Sequence, residues 1–284
     1  MNYKIVSCKT NKEFINLFKD YLIEHKIELQ LLFLNLTNSD MELSSESIRG
    51  GVFNDDKPSL IFLNACPYNL QVRSIDNDIA SFDLLASYII NNDIDIRGIQ
   101  GTSKDVKEFI NSYNLIRNGS FRYAHSMDIM RLDKLNKLDL KNIKGGIIKA
   151  TLDDFVIVKD YINKMYIEAM GETYDDDIID ARAHAFINDG YTHLFKVGDD
   201  ITSIVRTNPT PKGACRISLV FTDKQYRGRS YAKKMLYQLI DGCKDEFECF
   251  TLFVDKQNPI SNKLYRDLGF YVVEDNIDVR IISK

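Results

Sequence analysis

Apolar residues return at every third or fourth position in FINLFKDYLIEH (14–25) and DLLASYIINN (83–92), the period of a helix with one buried face. Around them, PSLIFLNA (58–65), NLQVRS (69–74) and DIRGIQG (95–101) are short runs of β-forming residues, several of them suited to antiparallel pairing. The spacing then predicts a helix over TSKDVKEFINSY (102–113) and a strand over FRYAHSMDIMRL (121–132). Thr102 and Asp105 stand at capping-box spacing before that helix, which accounts for the hydroxyls and glycines between strand and helix without a phosphate site.

The stretch DKLNKLDLKNIKGG (133–146) is polar and charged and closes on paired glycines, the composition of a linker. The expected organisation is therefore residues 1–132, a linker, and residues 147–284. The second part opens with Thr151 and Asp154 in a T-x-x-D arrangement ahead of a helix over 152–170, which Gly171 is placed to end. Another helix follows Asp175, Asp176 and Asp177, acidic residues that suit a helix start through the dipole and that also attract a cationic amine. YTHLFKV (191–197) and ITSIVRT (201–207) alternate about Gly198-Asp199-Asp200 as a hairpin, and RISLVFT (216–222) makes a third strand. A helix beginning near Ser230, a strand at CFTLFVD (249–255), a helix at PISNKLYRDL (259–268) and strands at FYVVE (270–274) and DVRIIS (278–283) complete the chain. Strand, helix, strand implies a parallel pair, because the crossover needs a helix's length to return. The end of the first part repeats that order, so the fold class expected is α/β (α+β): two copies of one mixed, mostly antiparallel twisted sheet, each with a central parallel pair flanked by helices.

Composition narrows the function. A chain of 284 residues with 44% apolar content can bury a sizeable core, and no apolar run approaches the roughly 18 residues of a membrane helix. The start, MNYKIVSCKTNKEF, lacks the apolar segment of a signal peptide, so a cytoplasmic protein with no membrane partner is expected. The net charge of -4 is spread without a basic stripe, which argues against nucleic acid. Five cysteines without C-x-x-C suit reduced thiols, and four histidines at no zinc spacing predict no metal. His184 and His193 are possible bases, although surface or satisfied core histidines are the commoner reading. The oligomeric state has no signature.

The segment RGRSYA (227–232) joins two arginines, a glycine and a helix start behind a strand. A helix leaves its first N–H groups unpaired and carries partial positive charge there, so an anion is the natural occupant. Gly228 allows close approach of the backbone, and Arg227 and Arg229 add charge suited to phosphate or pyrophosphate. Ala232, Met235, Leu236, Leu239 and Ile240 recur at helical spacing and fix the loop on a rigid element. On its own the stretch fits equally a strand-to-helix turn with solvated arginines. It is neither a Walker loop nor a dinucleotide fingerprint.

Taken together with LFVDKQNPISNKLYRDLGF (252–270), the segment resembles the two signatures of the GCN5-related N-acetyltransferase (GNAT) superfamily. Arg227, Gly228, Arg229, Ser230, Tyr231 and Ala232 stand in the frame R/Q-x-x-G-x-G/A, and Asn258, Ser261, Leu264, Tyr265, Gly269 and Phe270 follow N-x-x-A-x-x-L-Y-x-x-x-G-F with one small-residue swap. The resemblance covers about residues 147 to 284. One departure is Ser230, where the superfamily usually has glycine beside the pyrophosphate.

The resemblance implies acetyl-CoA as cosubstrate and a primary amine, on a small molecule, as acceptor. It implies that the strand before the loop splays from its parallel neighbour and that the main chain of Val220, Phe221 and Thr222 pairs with the pantetheine arm, one N–H polarising the thioester carbonyl. Tyr265 corresponds to the tyrosine that protonates the departing thiolate; a half-buried helix tyrosine is its structural alternative. Asn258 reads as a cap before Pro259, a role compatible with coenzyme contact. RISLVFT carries no carboxylate to serve as base, leaving Glu168, Glu172 and Asp255 as candidates, each also readable as a surface carboxylate.

The first part has RSIDNDIASF before its helix, with no counterpart to residues 227–232, and is expected to be a degenerate GNAT-like half. The combination resembles a bacterial group of two-domain GNAT acetyltransferases. A non-catalytic acyl-CoA-binding, sensing or interaction module is the alternative from another class. No motif selects among polyamines, amino acids, antibiotics and protein N-termini as acceptor.

Overall fold

The computed structural model describes residues 2–37, 47–65, 68–171, 173–210 and 213–283; Cys66 and Glu172 lie outside them. The chain divides into two compact units. In chain order come β1 (Tyr3–Ser7), α1 (Asn11–Leu17), α2 (Lys19–Glu24), α3 (Gln30–Thr37), β2 (Ile48–Asn54), β3 (Lys57–Asn64), β4 (Leu70–Ser74), α4 (Ile79–Asn91), β5 (Gly98–Gly101), α5 (Ser103–Ile116) and β6 (Ser120–Leu132). After the linker stretch follow β7 (Gly146–Lys149), α6 (Phe155–Met170), α7 (Asp176–Asn188), β8 (Thr192–Val197), β9 (Asp200–Pro209), β10 (Ala214–Thr222), α8 (Tyr231–Cys243), β11 (Cys249–Asp255), α9 (Pro259–Leu268) and β12 (Tyr271–Ser283). No helix among the described residues is long and apolar enough to cross a membrane, and none of their His, Cys, Asp and Glu side chains form a metal-holding group of three. Cys8, Cys215, Cys243 and Cys249 form no disulfide among the described residues.

In the first unit β1 to β4 form an antiparallel ladder and β4 runs parallel to β5. The run Leu60, Ile61, Phe62, Leu63 on β3 is buried on both faces because helices cover both. Ile61 and Leu63 meet Phe14, Phe18, Leu22 and Leu32 of the first three helices, while Leu60 and Phe62 meet Phe82, Leu85, Phe109 and Tyr113 of α4 and α5. Thr102 caps α5 as the sequence implies, its hydroxyl accepting from the Asp105 N–H at 3.1 Å.

The sequence groups FYVVE and DVRIIS with the second part as two strands. In the structure they are one strand, β12, whose residues 272–283 belong to the first unit. Ile277 to Arg280 pair antiparallel with Gly98 to Gly101 of β5, and Ile277 and Val279 enter the first unit's core. Arg73 of β4 holds Glu274 at 2.5 Å, and Asn69 and Ser103 donate to Asp278 and Asp275. The edge of β5 needs a partner strand, and alternating Ile277 and Val279 supply it.

The second unit carries the antiparallel ladder β7–β8–β9–β10, with β11 parallel to β10. Val158, Tyr161 and Ile162 of α6 and Ile179, Ala183 and Ile187 of α7 pack on Leu194, Ile204, Leu219 and Phe221. The opposite face receives α8, where Met235, Leu236, Leu239 and Ile240 are buried and Tyr231 lies 5.7 Å from the Phe195 ring. The Thr151–Asp154 capping box is present, and Gly171 ends α6 with φ +65°. Each unit is thus a mixed, mostly antiparallel sheet with one parallel pair and flanking helices, the fold class the element order implies.

Candidate active site

Register between β10 and β11 covers only Ala214 to Arg216 against Cys249 to Thr251, although β10 runs on to Thr222 and β11 to Asp255. Beyond Arg216 the edge of β10 that faces β11 therefore has no strand partner among the described residues. On its other edge β10 follows β9 with a register shift between Ser218 and Phe221, where Leu219 takes φ +52°. Two residues, Leu219 and Val220, oppose one on β9, which is a β-bulge that bends the strand and re-aims its main chain. The bulge lies in the segment where Val220, Phe221 and Thr222 were expected to present main-chain groups. Phe221 anchors it, its ring 5.4 Å from that of Tyr161. The Thr222 hydroxyl meets Ser203 at 2.8 Å.

After Thr222 the chain turns through Asp223, whose carboxylate accepts from the Gln225 N–H at 3.2 Å and from Lys164 of α6 at 2.7 Å. Lys164 holds the Asp223 carboxyl below its ordinary pKa. A cleft of about 400 Å³ beside this anchor carries Asp160, Asp199, Asp200 and Asp223 against Lys164, which also bridges to Asp160 at 2.7 Å. Arg227 fastens the same turn to α6: its Nε donates to the Thr222 carbonyl at 2.8 Å and its guanidinium to Glu168 at 2.6 Å. The side chain expected to meet a phosphate is here engaged in holding the loop. Arg229 is exposed, over the Tyr226 ring at 5.9 Å.

Gly228 has φ +78°, and a Cβ there would meet nothing within 4 Å, so conformation rather than crowding requires glycine. Ser230 is the N-cap of α8 at φ +59°, without a side-chain capping bond. The first bond of the helix runs from the Lys234 N–H to the Ser230 carbonyl at 3.1 Å. Among the described residues no acceptor takes the main-chain N–H groups from Gly228 to Ala232, which leaves a row of donors at the positive end of a helix. Left-handed backbone strains a serine. Ser230→Gly is therefore expected to raise stability by about 0.5–1 kcal/mol in denaturant unfolding, the unfolded-state entropy of glycine offsetting part of the relief.

Tyr265 lies on the inner face of α9, buried with Asn262 and Leu268. The ring packs edge-on to Phe270 at 5.9 Å, and burial raises its phenol pKa well above the ordinary value. Lys233 of α8 joins Asp267 of α9 at 2.6 Å, coupling the helix behind the loop to the helix that carries Tyr265. Asn258 directly precedes Pro259, the first residue of α9, and donates its N–H to the Asp255 carbonyl at 3.0 Å.

The base candidates fare differently. Burial alone would raise the Glu168 carboxyl, but Arg227, with Lys224, outweighs it and holds the group below its ordinary pKa, which makes it a poor proton acceptor. The Asp255 carboxylate accepts from the Gln257 N–H at 2.8 Å. Burial lowers the pKa of His193. Two residues that matter to the geometry had no role in the sequence reading. Leu219 gives no signal, since nothing in a leucine announces positive φ. Arg216 does give one, as a charge inside an apolar strand.

The corresponding place in the first unit is built otherwise. There α4 follows β4, and the Asp78 carboxylate caps the helix by accepting from the Ala80 N–H at 3.1 Å. A fixed negative charge stands where α8 leaves its donors open.

Residues 158–270 match the model of the acetyltransferase (GNAT) family. Solved structures similar over the whole chain include a GCN5-related N-acetyltransferase from Sphaerobacter thermophilus, with TM-score 0.67 and 12% identity over 99% of this chain and 96% of that one. A Drosophila protein follows at TM-score 0.62 and 12% identity over 98% of both chains. A GNAT-family acetyltransferase from Colwellia psychrerythraea has TM-score 0.57 and 10% identity over 100% of both. At such identities the likeness is one of fold. No curated protein sequence matches significantly. The matched residues 158–270 include the β10–β11 pair, the glycine–arginine loop, α8 and Tyr265, so the likeness to the GNAT acetyltransferase family falls on the candidate site.

Proposed function

We propose that the protein is a cytoplasmic N-acetyltransferase that moves an acetyl group from acetyl-CoA directly to a primary amine within a ternary complex. The observation that carries this reading is the unpartnered edge of β10 beyond Arg216, continuing into the open N–H groups at the start of α8. An extended arm can add to that edge as a strand does, and a diphosphate fits a row of N–H donors with no side chain crowding Gly228. The coenzyme supplies the acetyl group activated as a thioester.

The chain's own residues supply the rest. The bulge at Leu219 and Val220 aims main-chain groups at the carbonyl, where an N–H donor stabilises developing negative charge. The amine must reach the site deprotonated, because its free pKa is about 10. As the new C–N bond forms and the C–S bond breaks, Tyr265 gives a proton to the departing sulfur, while the attacking nitrogen sheds its extra proton to water and Tyr265 regains one from water. Its burial supports that role by keeping the phenol protonated across the working range. The first unit, with Asp78 closing α4, is a degenerate copy that does not hold the coenzyme.

Calorimetric titration tests the reading. Acetyl-CoA is expected to bind at micromolar Kd, on the order of -8 kcal/mol, and Ser230→Gly to bind it more tightly. Absence of binding in both forms would sink the proposal.

A further inference from the structure

Arg216 stands at the last register of the parallel pair, opposite Thr251 on β11 and opposite Asn208 on β9. Directly opposed residues of antiparallel strands share a face, and so do alternate residues along a strand. Arg216, Ser218, Asn208 and Arg206 therefore form one polar stripe. Arg206 identifies the face, since its guanidinium lies 4.1 Å from the Phe186 ring of α7 and pairs with Asp189. This is the face on which α6 and α7 pack, the side of the sheet away from α8.

Every member of the stripe is satisfied except one. Arg206 uses both ends of its fork on Asp189, with 2.8 Å for the NH1 bond, and gives its Nε to Asn208 at 3.2 Å. Asn208 donates to Ser218 at 2.7 Å and to the Arg216 carbonyl at 3.3 Å. The Arg216 guanidinium makes no ion pair and donates no hydrogen bond among the described residues. It is largely buried yet reached by solvent, and burial together with neighbouring Arg206 lowers its pKa. Arginine nevertheless stays charged, so the site holds a fork of donors without an acceptor. Leaving a buried cation unpaired is costly, and the one carboxylate that the stripe engages, Asp189, is held by Arg206.

The position gives this charge a use. Three to four residues separate Arg216 from the bulge, on the order of 10 Å along a strand, and an arginine side chain spans much of that. We propose that Arg216 binds a carboxylate on the acceptor, so that the substrates are amino acids, with the amine at the bulge and the carboxylate on the guanidinium. The inference rests on the acetyltransferase reading above for the amine.

The experiment compares each common amino acid with its α-carboxamide, a pair that shares the amine and differs in the charge. Turnover is measured for wild type, Arg216→Met and Arg216→Lys, and melting of each protein is followed in the same amino acids without coenzyme. In wild type at least one acid is expected to exceed its carboxamide in kcat/KM by roughly 10- to 100-fold, the worth of charged hydrogen bonds. The ratio falls to about threefold or less in Arg216→Met and returns in part in Arg216→Lys, which restores charge without the fork. The preferred acid raises the melting temperature of wild type and not of Arg216→Met. The methionine variant removes an unpaired charge and is expected to fold at least as stably, so a loss of discrimination is not a loss of structure.

Three results overturn the assignment: carboxamides turned over as well as acids, no amino acid turned over or stabilising, or a ratio unchanged in Arg216→Met. Failure of acetyl-CoA to bind in calorimetry is a separate outcome that sinks the acetyltransferase reading. In that case the melting arm alone decides whether Arg216 holds a carboxylate.

Discussion

Replacing Tyr265 by phenylalanine lowers kcat for amine acetylation by roughly ten- to a thousand-fold and leaves the acetyl-CoA Kd within about twofold. The substitution removes one hydroxyl and keeps the ring that packs on Phe270, so the fold is retained. The buried phenol is protonated at any working pH, and the variant loses a proton donor rather than a charge. The deficit should therefore be largest with substrates whose leaving group most needs protonation, and a product released as a stable anion should narrow it. Steady-state kinetics beside calorimetry checks the split between kcat and Kd. An unchanged kcat would return Tyr265 to a packing role, and a binding module without chemistry would show coenzyme affinity in both forms and turnover in neither.

Val279→Asp destabilises the protein by about 4 kcal/mol or more, measured by denaturant unfolding followed by circular dichroism. Val279 is 0% exposed in the first unit's core, opposite Ile99 of β5, and a carboxylate there would have to ionise without a partner or stay protonated at a cost. Val272→Asp on the same strand, at a residue 42% exposed, is expected to cost under about 1 kcal/mol. The pair separates burial from strand propensity. Equal costs at the two positions would mean that β12 does not close the sheet through its apolar face.

The elements legible in the sequence are those whose stability is local. The side-chain cap at Thr102, the capping box at Thr151, the left-handed Gly171 and the buried face of α8 appear where the spacing places them, because each depends on residues within about four positions. The loop at residues 227–232 was legible for the same reason, as a helix start with no capping side chain except a serine. Its partners were not. Arg227 turns to Glu168, 59 residues away, and nothing in the spacing of RGRSYA distinguishes that from a solvated arginine.

Tertiary structure alone decided the rest. The C-terminal strand has the same alternating pattern whichever sheet receives it, and the choice of β5 rests on contacts such as Arg73 with Glu274, 201 residues apart. The bulge at Leu219 arises from how β10 must meet β9 on one side while leaving β11 on the other. Arg206 finds Asp189 of the neighbouring helix, while Arg216 on the same face of the sheet has no carboxylate partner among the described residues. Chain order and local chemistry determined which helices and strands form and where the glycine–arginine turn before α8 would lie. Which charges find partners, and which is left without one among the described residues, is set only when distant strands and helices come together.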